Sequence, residues 1–391
     1  MEVYYNPVVC RLNQERRRRK TGLYIHYPFC QTKCFYCHFV SSGYEPESHR
    51  RWLSAAQDEI RRAAGLFSEH LLIDTVYFGG GTPSLLGPDE VGSLLASVRQ
   101  NFEAELQEVT LEVNPVADPE RIRGWLQAGV SRLSFGVQSF DPAVLEVLGR
   151  FYLPEKVARL LEEARRVGTD NISLDLMAGV PGESARTMEI NLKNLLELKP
   201  NHVSVYLLEE LETVPFRTIW EKAPVSEEVA ARAYEDYRLR LEAAGWLQYE
   251  IANFSQPGYQ CRHNLKYWRY QPFLGIGPSA SSHLANFRWT NPVSMDGWLT
   301  AIASGKQSFS EFMELKPEEE LRECLAFGLR LREGVLLSEL KLRFPGLDFS
   351  ACETRSKQLA ADGLLQVDNG RVRIRPEKFL ISNSIIGELL Y

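Results

Sequence analysis

Three cysteines fall within eight residues of the stretch YIHYPFCQTKCFYCHFV, residues 24–40: Cys30, Cys34 and Cys37. Thiolates are metal ligands, and three on one short segment read as a site for a cation rather than as part of a disulfide framework. Structural zinc closes four positions, usually with two Cys pairs from separate parts of the chain. No second C-x-x-C is present, so zinc needs His26 or His38 as its fourth ligand. The other solution is a cubane iron–sulfur cluster with three irons on the thiolates and one iron left open to an exchangeable ligand. Cys10, Cys261, Cys324 and Cys352 stand alone and are read as ordinary thiols. Seven cysteines so distributed point to a reducing compartment, hence to the cytoplasm.

A loop that holds three thiols needs a rigid frame. From Gly22 onward, β-branched and aromatic runs alternate with helical patterns, the signature of β/α units around a parallel sheet. Six strands are expected, at 23–27, 73–81, 109–115, 132–138, 171–181 and 202–208. Helices open after Pro46, at Pro88, Asp118 and Asp141, and one runs from Ser226 to Ala244, with Asp, Ser or Pro at the starts. Six units predict an α/β fold, a partial (β/α)6 barrel, with a doubly wound open sheet as the alternative. In a barrel the chemistry sits on the C-terminal ends of strands. The cysteine loop, GGGTP, EVNP, GVQS and LDLMAGVPGE all fall there.

The predicted organisation is a mobile basic tail over 1–20 containing RRRRK, a core over 21–250, an irregular connecting segment over 251–315 with the HNLKYW motif, and a C-terminal module over 316–391. The module reads as helices, a hairpin turning at Asp368-Asn369-Gly370 and a last helix, which resembles a winged helix. Residues 337–391 carry eight Lys and Arg against seven Asp and Glu, and the chain's net charge is −6. Neither matches the basic footprint of a nucleic-acid binder. No apolar run reaches the roughly 18 residues of a membrane span.

C-x3-C-x2-C after strand one of a partial barrel, with Tyr36 before the last cysteine and GGGTP one unit later, resembles the radical S-adenosylmethionine (SAM) enzymes. The resemblance implies a [4Fe-4S] cluster on Cys30, Cys34 and Cys37 whose open iron chelates SAM and can split it to a 5′-deoxyadenosyl radical. It assigns Gly79, Gly80 and Gly81 to close approach of the SAM amino group, with Thr82 and Pro83 stiffening the exit of that cofactor-binding turn, and Glu112, Gln138, Arg150 and Asp175 to the ribose and carboxylate of SAM. Tyr24 and Tyr36 would shield the cluster or stack near adenine. From Leu23 to the C-terminus the motifs YIHYPFC, GVQSFDPAVLEVLGR, YEIANF, CRHNLKYW and LGIGPSA look like the family of oxygen-independent coproporphyrinogen III dehydrogenases (HemN) and HemW-type heme chaperones. Phe39 stands where HemN-type enzymes carry a fourth cysteine, only about twenty residues precede the first strand, and H-N-x-x-Y-W is present at 263–268. All three favour the chaperone branch. The chain departs from the family pattern at Tyr152, commonly His, and at His38, frequently Asp. The implied cargo is heme, with His263 as its axial ligand between Tyr267 and Trp268, and Cys261 and His38 as rivals. The implied partners are a membrane-associated heme acceptor and an electron donor. The alternative activity is radical decarboxylation of coproporphyrinogen III.

Overall fold

The protein is described here from a computed structural model, which covers residues 5–14, 18–208, 217–305 and 308–390. Six strands lie side by side in chain order and all parallel: β1 (Arg19–Tyr27), β2 (Leu71–Gly80), β3 (Glu103–Val113), β4 (Arg132–Gln138), β5 (Ile172–Ala178) and β6 (His202–Leu207). Their outward residues, such as Ile25, Phe78, Leu111, Phe135, Leu174 and Val205, join the helices in one apolar core. The inward residues are polar instead. Along the parallel register, Glu112 lies opposite Ser134, Ser134 opposite Ser173, and Asp175 opposite Ser204. Most barrels fill this interior with branched apolar side chains. A polar lumen has to satisfy its groups internally or with a ligand, and it marks the interior as a site.

The connecting helices start where the sequence placed them. Gly87 precedes Pro88, and Glu90 accepts from the Gly87 backbone N–H at 2.7 Å. Asp141 and Ser226 cap Pro142–Val147 and Glu227–Ala243 through Ala143 N and Val229 N. Asp118 occupies its N-cap position without making a side-chain cap.

Two expectations are corrected. The first concerns the mobile tail: Tyr5–Leu12 form a helix, α1, whose Val8 and Leu12 are fully buried in the main core. β1 begins at Arg19, and Arg18 donates to Glu69 O at 3.1 Å. Residues 16 and 17 of the basic run lie outside the described residues. The second concerns 251–315, which extends the sheet at both edges instead of forming an irregular crossing. Beyond β6, β7 (Leu247–Gln248), which lies just ahead of this segment, and β8 (Asn253–Ser255) continue the sheet antiparallel, with β8 next to β6 and β7 outermost. Beyond β1, β9 (Phe273–Ile276) adds a parallel strand, followed by the antiparallel β10 (Ser281–Leu284), β11 (Phe287–Thr290) and β12 (Glu311–Glu314). These strands are four residues or fewer, too short to show a period of two.

The C-terminal module has its own core, with Leu325, Leu329, Leu359, Leu365, Val372, Ile374, Phe379 and Ile385 buried together. Its hairpin turns at Asn369 and Gly370 with φ of 49° and 78°, the left-handed pair that a two-residue turn requires. Among the described residues no helix is long and apolar enough to cross a membrane.

Glu59, on the helix Pro46–Phe67, ties this helix to the sheet extension by accepting from Gly277 N, Asn291 Nδ2 and Trp298 Nε1 at 2.7–2.9 Å. Burial pushes its carboxyl up to about 7. Its raised folded value means that the protonated form contributes stability below about pH 4.5, which is lost as pH rises through about 7. In Glu59→Gln the apo chain should therefore lose part of the fall in melting temperature that the parent shows between pH 5 and 8. Parallel profiles for both proteins would contradict this.

Candidate functional site

The C-terminal ends of the six strands open into a cavity of about 440 Å³ lined by Cys30, Cys34 and Cys37 together with Tyr36, Gly80, Gly81, Thr82, Glu112, Gln138, Arg150 and Asp175. The cysteine loop is pinned at both sides. Tyr44 N donates to Cys30 O at 2.9 Å, and Phe35 N to Leu148 O at 3.3 Å. The Phe35 ring lies directly over Gly149, where a Cβ would come within 2.9 Å of it.

The sulfurs already face donors. Thr82 Oγ1 lies 3.4 Å from Cys30 Sγ, and Arg150 Nη1 lies 3.3 Å from Cys34 Sγ. Burial pushes the Cys37 thiol up, so a cation or cluster is needed to hold it as thiolate at neutral pH. Among the described residues no three His, Cys, Asp or Glu side chains converge as one metal ion requires. The three thiols instead border a single roomy cavity. Cluster sulfurs accept hydrogen bonds, so a guanidinium and a hydroxyl aimed at the thiol positions suit a multi-iron group. Arg150 Nε is buried without a partner, one donor more than the protein alone satisfies.

On the far wall, Glu112 accepts from Tyr77 OH at 2.9 Å and Gly80 N at 3.2 Å, and burial pushes it up to about 7. Asp175 accepts from the hydroxyls of Ser134, Ser173 and Ser204 at 2.7–3.1 Å, and burial still raises it. Gln138 sits at φ 69°, left-handed for a residue with a side chain, where β4 breaks register with β5. Such a conformation costs about 1 kcal/mol or more and needs its surroundings to hold it. Two carboxylates, an amide and a guanidinium around one cavity can bind a polyhydroxylated, zwitterionic ligand.

The glycine run works differently from what its motif suggested. Gly79 makes room for the rings of Tyr24 and Tyr77, Gly80 adopts φ 113° against the His26 ring, and a Cβ on Gly81 would meet Phe29 O at 2.7 Å. Gly80 and Gly81 line the cavity, but Gly79 and Tyr24 do not. The Tyr24 hydroxyl instead pairs with His26 Nδ1 at 3.1 Å inside the barrel. The glycines are thus required by packing and backbone conformation, whatever binds beside them. Residues that sequence reasoning did not single out also line the cavity: Asn114, Ser134, Met177 and Tyr206. Ser134 shares its inward position with Glu112 and Asp175, which the strand register discloses and the sequence alone does not.

HNLKYW lies elsewhere. It forms a short helix, α2 (Arg262–Trp268), that meets β1, β2 and β3 at Gly22, Thr75 and Glu108; none of its residues lines the cavity, and the His263 ring lies 5.3 Å from that of Tyr77, which does. His263 is 1% exposed, with Nδ1 at 2.9 Å from Thr75 Oγ1 and Nε2 at 2.9 Å from Tyr267 OH. Its backbone N–H donates to Glu108 at 3.0 Å, and burial pushes the imidazole down to about 3. Lys266 Nζ reaches Asp74 at 2.7 Å. Trp268 faces Phe327 of the C-terminal module, with ring centroids 6.2 Å apart. A neutral ring with both nitrogens engaged has no lone pair to offer an iron, so the expected axial ligation by His263 between Tyr267 and Trp268 is corrected. Cys261 is equally enclosed, fully buried beside Glu108.

A parallel barrel with three thiols at its C-terminal opening defines a class, and the comparisons agree with it. Residues 24–195 match the family model of the Radical SAM superfamily, and residues 315–380 match that of the HemN C-terminal domain. A protein of Mycobacterium tuberculosis named heme chaperone HemW is 34% identical over 94% of both chains, and its Bacillus subtilis counterpart is 31% identical over 94% of this chain and 98% of its own. A mitochondrial protein of Bos taurus, radical S-adenosyl methionine domain-containing protein 1, is 32% identical over 95% of this chain and 88% of its own. The solved structure of coproporphyrinogen III oxidase (HemN) from Escherichia coli superposes with a TM-score of 0.85 over 98% of this chain and 93% of that one, at 22% identity. The chain therefore belongs to the radical SAM superfamily and, within it, to the family of the HemW proteins. Membership in the superfamily implies a [4Fe-4S] cluster and SAM.

Proposed function

We propose that this chain is a heme chaperone that binds heme and hands it to an acceptor protein. The observation that supports this most is the near full-length similarity to proteins named heme chaperone HemW. Cys30, Cys34 and Cys37 would hold the cluster, which would supply an open iron and an electron source when bound. Thr82 and Arg150 orient the sulfurs on either side. Gly80, Gly81 and Thr82 form one wall for SAM, and Glu112, Gln138, Arg150 and Asp175 bind its hydroxyls and charged ends. Tyr36, packed with Val144, Leu148 and Met177, keeps water from the thiols. The partners are a membrane-associated heme protein as acceptor and an electron donor, and the chaperone works in the cytoplasm.

Decarboxylation of coproporphyrinogen III is the competing activity. Incubated anaerobically with reductant, SAM and coproporphyrinogen III, the reconstituted chain should form no protoporphyrinogen IX, while the heme-loaded chain should transfer heme to an apo hemoprotein. Turnover to protoporphyrinogen IX without heme transfer would overturn the proposal.

A further inference from the structure

We propose that His38 is the protein ligand to heme iron, with the macrocycle lying across the mouth of the cavity between the cysteine loop and the loop that carries Arg150. This rests on the heme-chaperone reading and names the site that reading leaves open. Heme iron takes an imidazole, a thiolate, a thioether or a phenolate from the protein, and the chain has seven histidines. Four of them, His26, His49, His202 and His263, have both ring nitrogens hydrogen-bonded within the protein. His283 is 4% exposed, with its ring 4.3 Å from that of Tyr270, so no macrocycle reaches it. His70 sits in the turn just before β2, at the end of the barrel away from the cavity.

His38 alone of the seven lines the cavity, is exposed, and makes no hydrogen bond or ion pair among the described residues. The thiols offer no better ligand. Cys261 and Cys324 are buried, Cys10 and Cys352 do not line the cavity, and the remaining three are those the proposed function assigns to the cluster.

The surroundings suit a flat apolar ligand bearing carboxylates. The His38 ring lies 5.1 Å from that of Phe39. Phe39 is 55% exposed, and next to the cavity-lining Arg150 stand Phe151 at 71% and Leu153 at 73%. Large apolar side chains left in water on two loops that border one cavity are the feature a ligand covers. Lys33 also lines the cavity and has no ion-pair partner among the described residues, which suits a propionate.

The test is a hemin titration of the full chain with its cluster reconstituted, comparing the parent with His38→Ala, His70→Ala and His263→Ala at equal iron and sulfide content. His38→Ala should bind hemin about tenfold or more weakly and lose the parent's Soret position, and added imidazole should restore that position. The other two variants should match the parent. Should His38→Ala not retain its cluster, His38→Gln, which keeps a planar polar side chain, takes its place with the same expectation. Parent-like Soret band and affinity in the cluster-loaded His38 variant would overturn the assignment while leaving the chaperone reading intact. A parent protein that binds no hemin would instead remove the reading itself.

Discussion

Replacing Cys30, Cys34 and Cys37 together by Ala should abolish the brown colour and the iron of the anaerobically reconstituted protein, from about four irons per chain to about none. The three thiols border one cavity, and among the described residues no other cysteine lines it. Cys261, the nearest alternative in the sequence after the motif, is fully buried beside Glu108 and does not line the cavity. Iron and sulfide analysis with the visible spectrum checks this. Undiminished iron in the triple variant, or one tightly bound zinc in the parent, would contradict the cluster assignment. The fold should survive the substitution, because the loop is pinned by backbone bonds from Phe35, Ser42 and Tyr44 that need no sulfur.

Lys266→Ala should destabilise the apo chain by about 3–5 kcal/mol, the cost of leaving a buried carboxylate unpaired. Lys266 and Asp74 are 3% and 6% exposed and lie 2.7 Å apart at the barrel floor. Replacing both, as Lys266→Met with Asp74→Leu, should restore most of the stability, since exchanging a buried pair for apolar side chains is often close to neutral. Urea unfolding of the cluster-free chains measures all three differences. A Lys266→Ala effect below about 0.5 kcal/mol, the usual range of a surface change, would mean that the short helix does not close the floor.

The six parallel strands are readable because each is a strong apolar run followed by a helix with a capped or proline start, and both signals are local. Cys30, Cys34, Glu112, Arg150 and Asp175 could be placed near one another because strand ends of such a fold share one face. HNLKYW misleads for a physical reason. His263, Lys266 and Tyr267 share one helix face by their spacing of three and four, and their partners Thr75, Asp74 and Glu108 lie more than 150 residues earlier in the chain. A histidine among aromatic residues looks like a ligand site when its hydroxyl and carboxylate partners are invisible. Helix α1 was hidden similarly, since Val8 and Leu12 are apolar positions in a segment dominated to the eye by its arginines.

The glycine run carries a related lesson for mutagenesis. Gly80 has φ 113° and a Cβ there would meet the His26 ring at 2.7 Å, so Gly80→Val strains the backbone before it touches any ligand and is no clean probe of SAM binding. Glu112→Gln and Asp175→Asn keep shape and remove charge, which makes them the informative substitutions at this wall.

Whether this radical SAM protein carries heme is decided by spectral titration of hemin into the full chain with its cluster in place and no coproporphyrinogen present. A saturable Soret band at about one heme per chain is expected, with the iron–sulfur absorbance unchanged in the course of binding. A featureless titration, indistinguishable from hemin added to buffer, would contradict it.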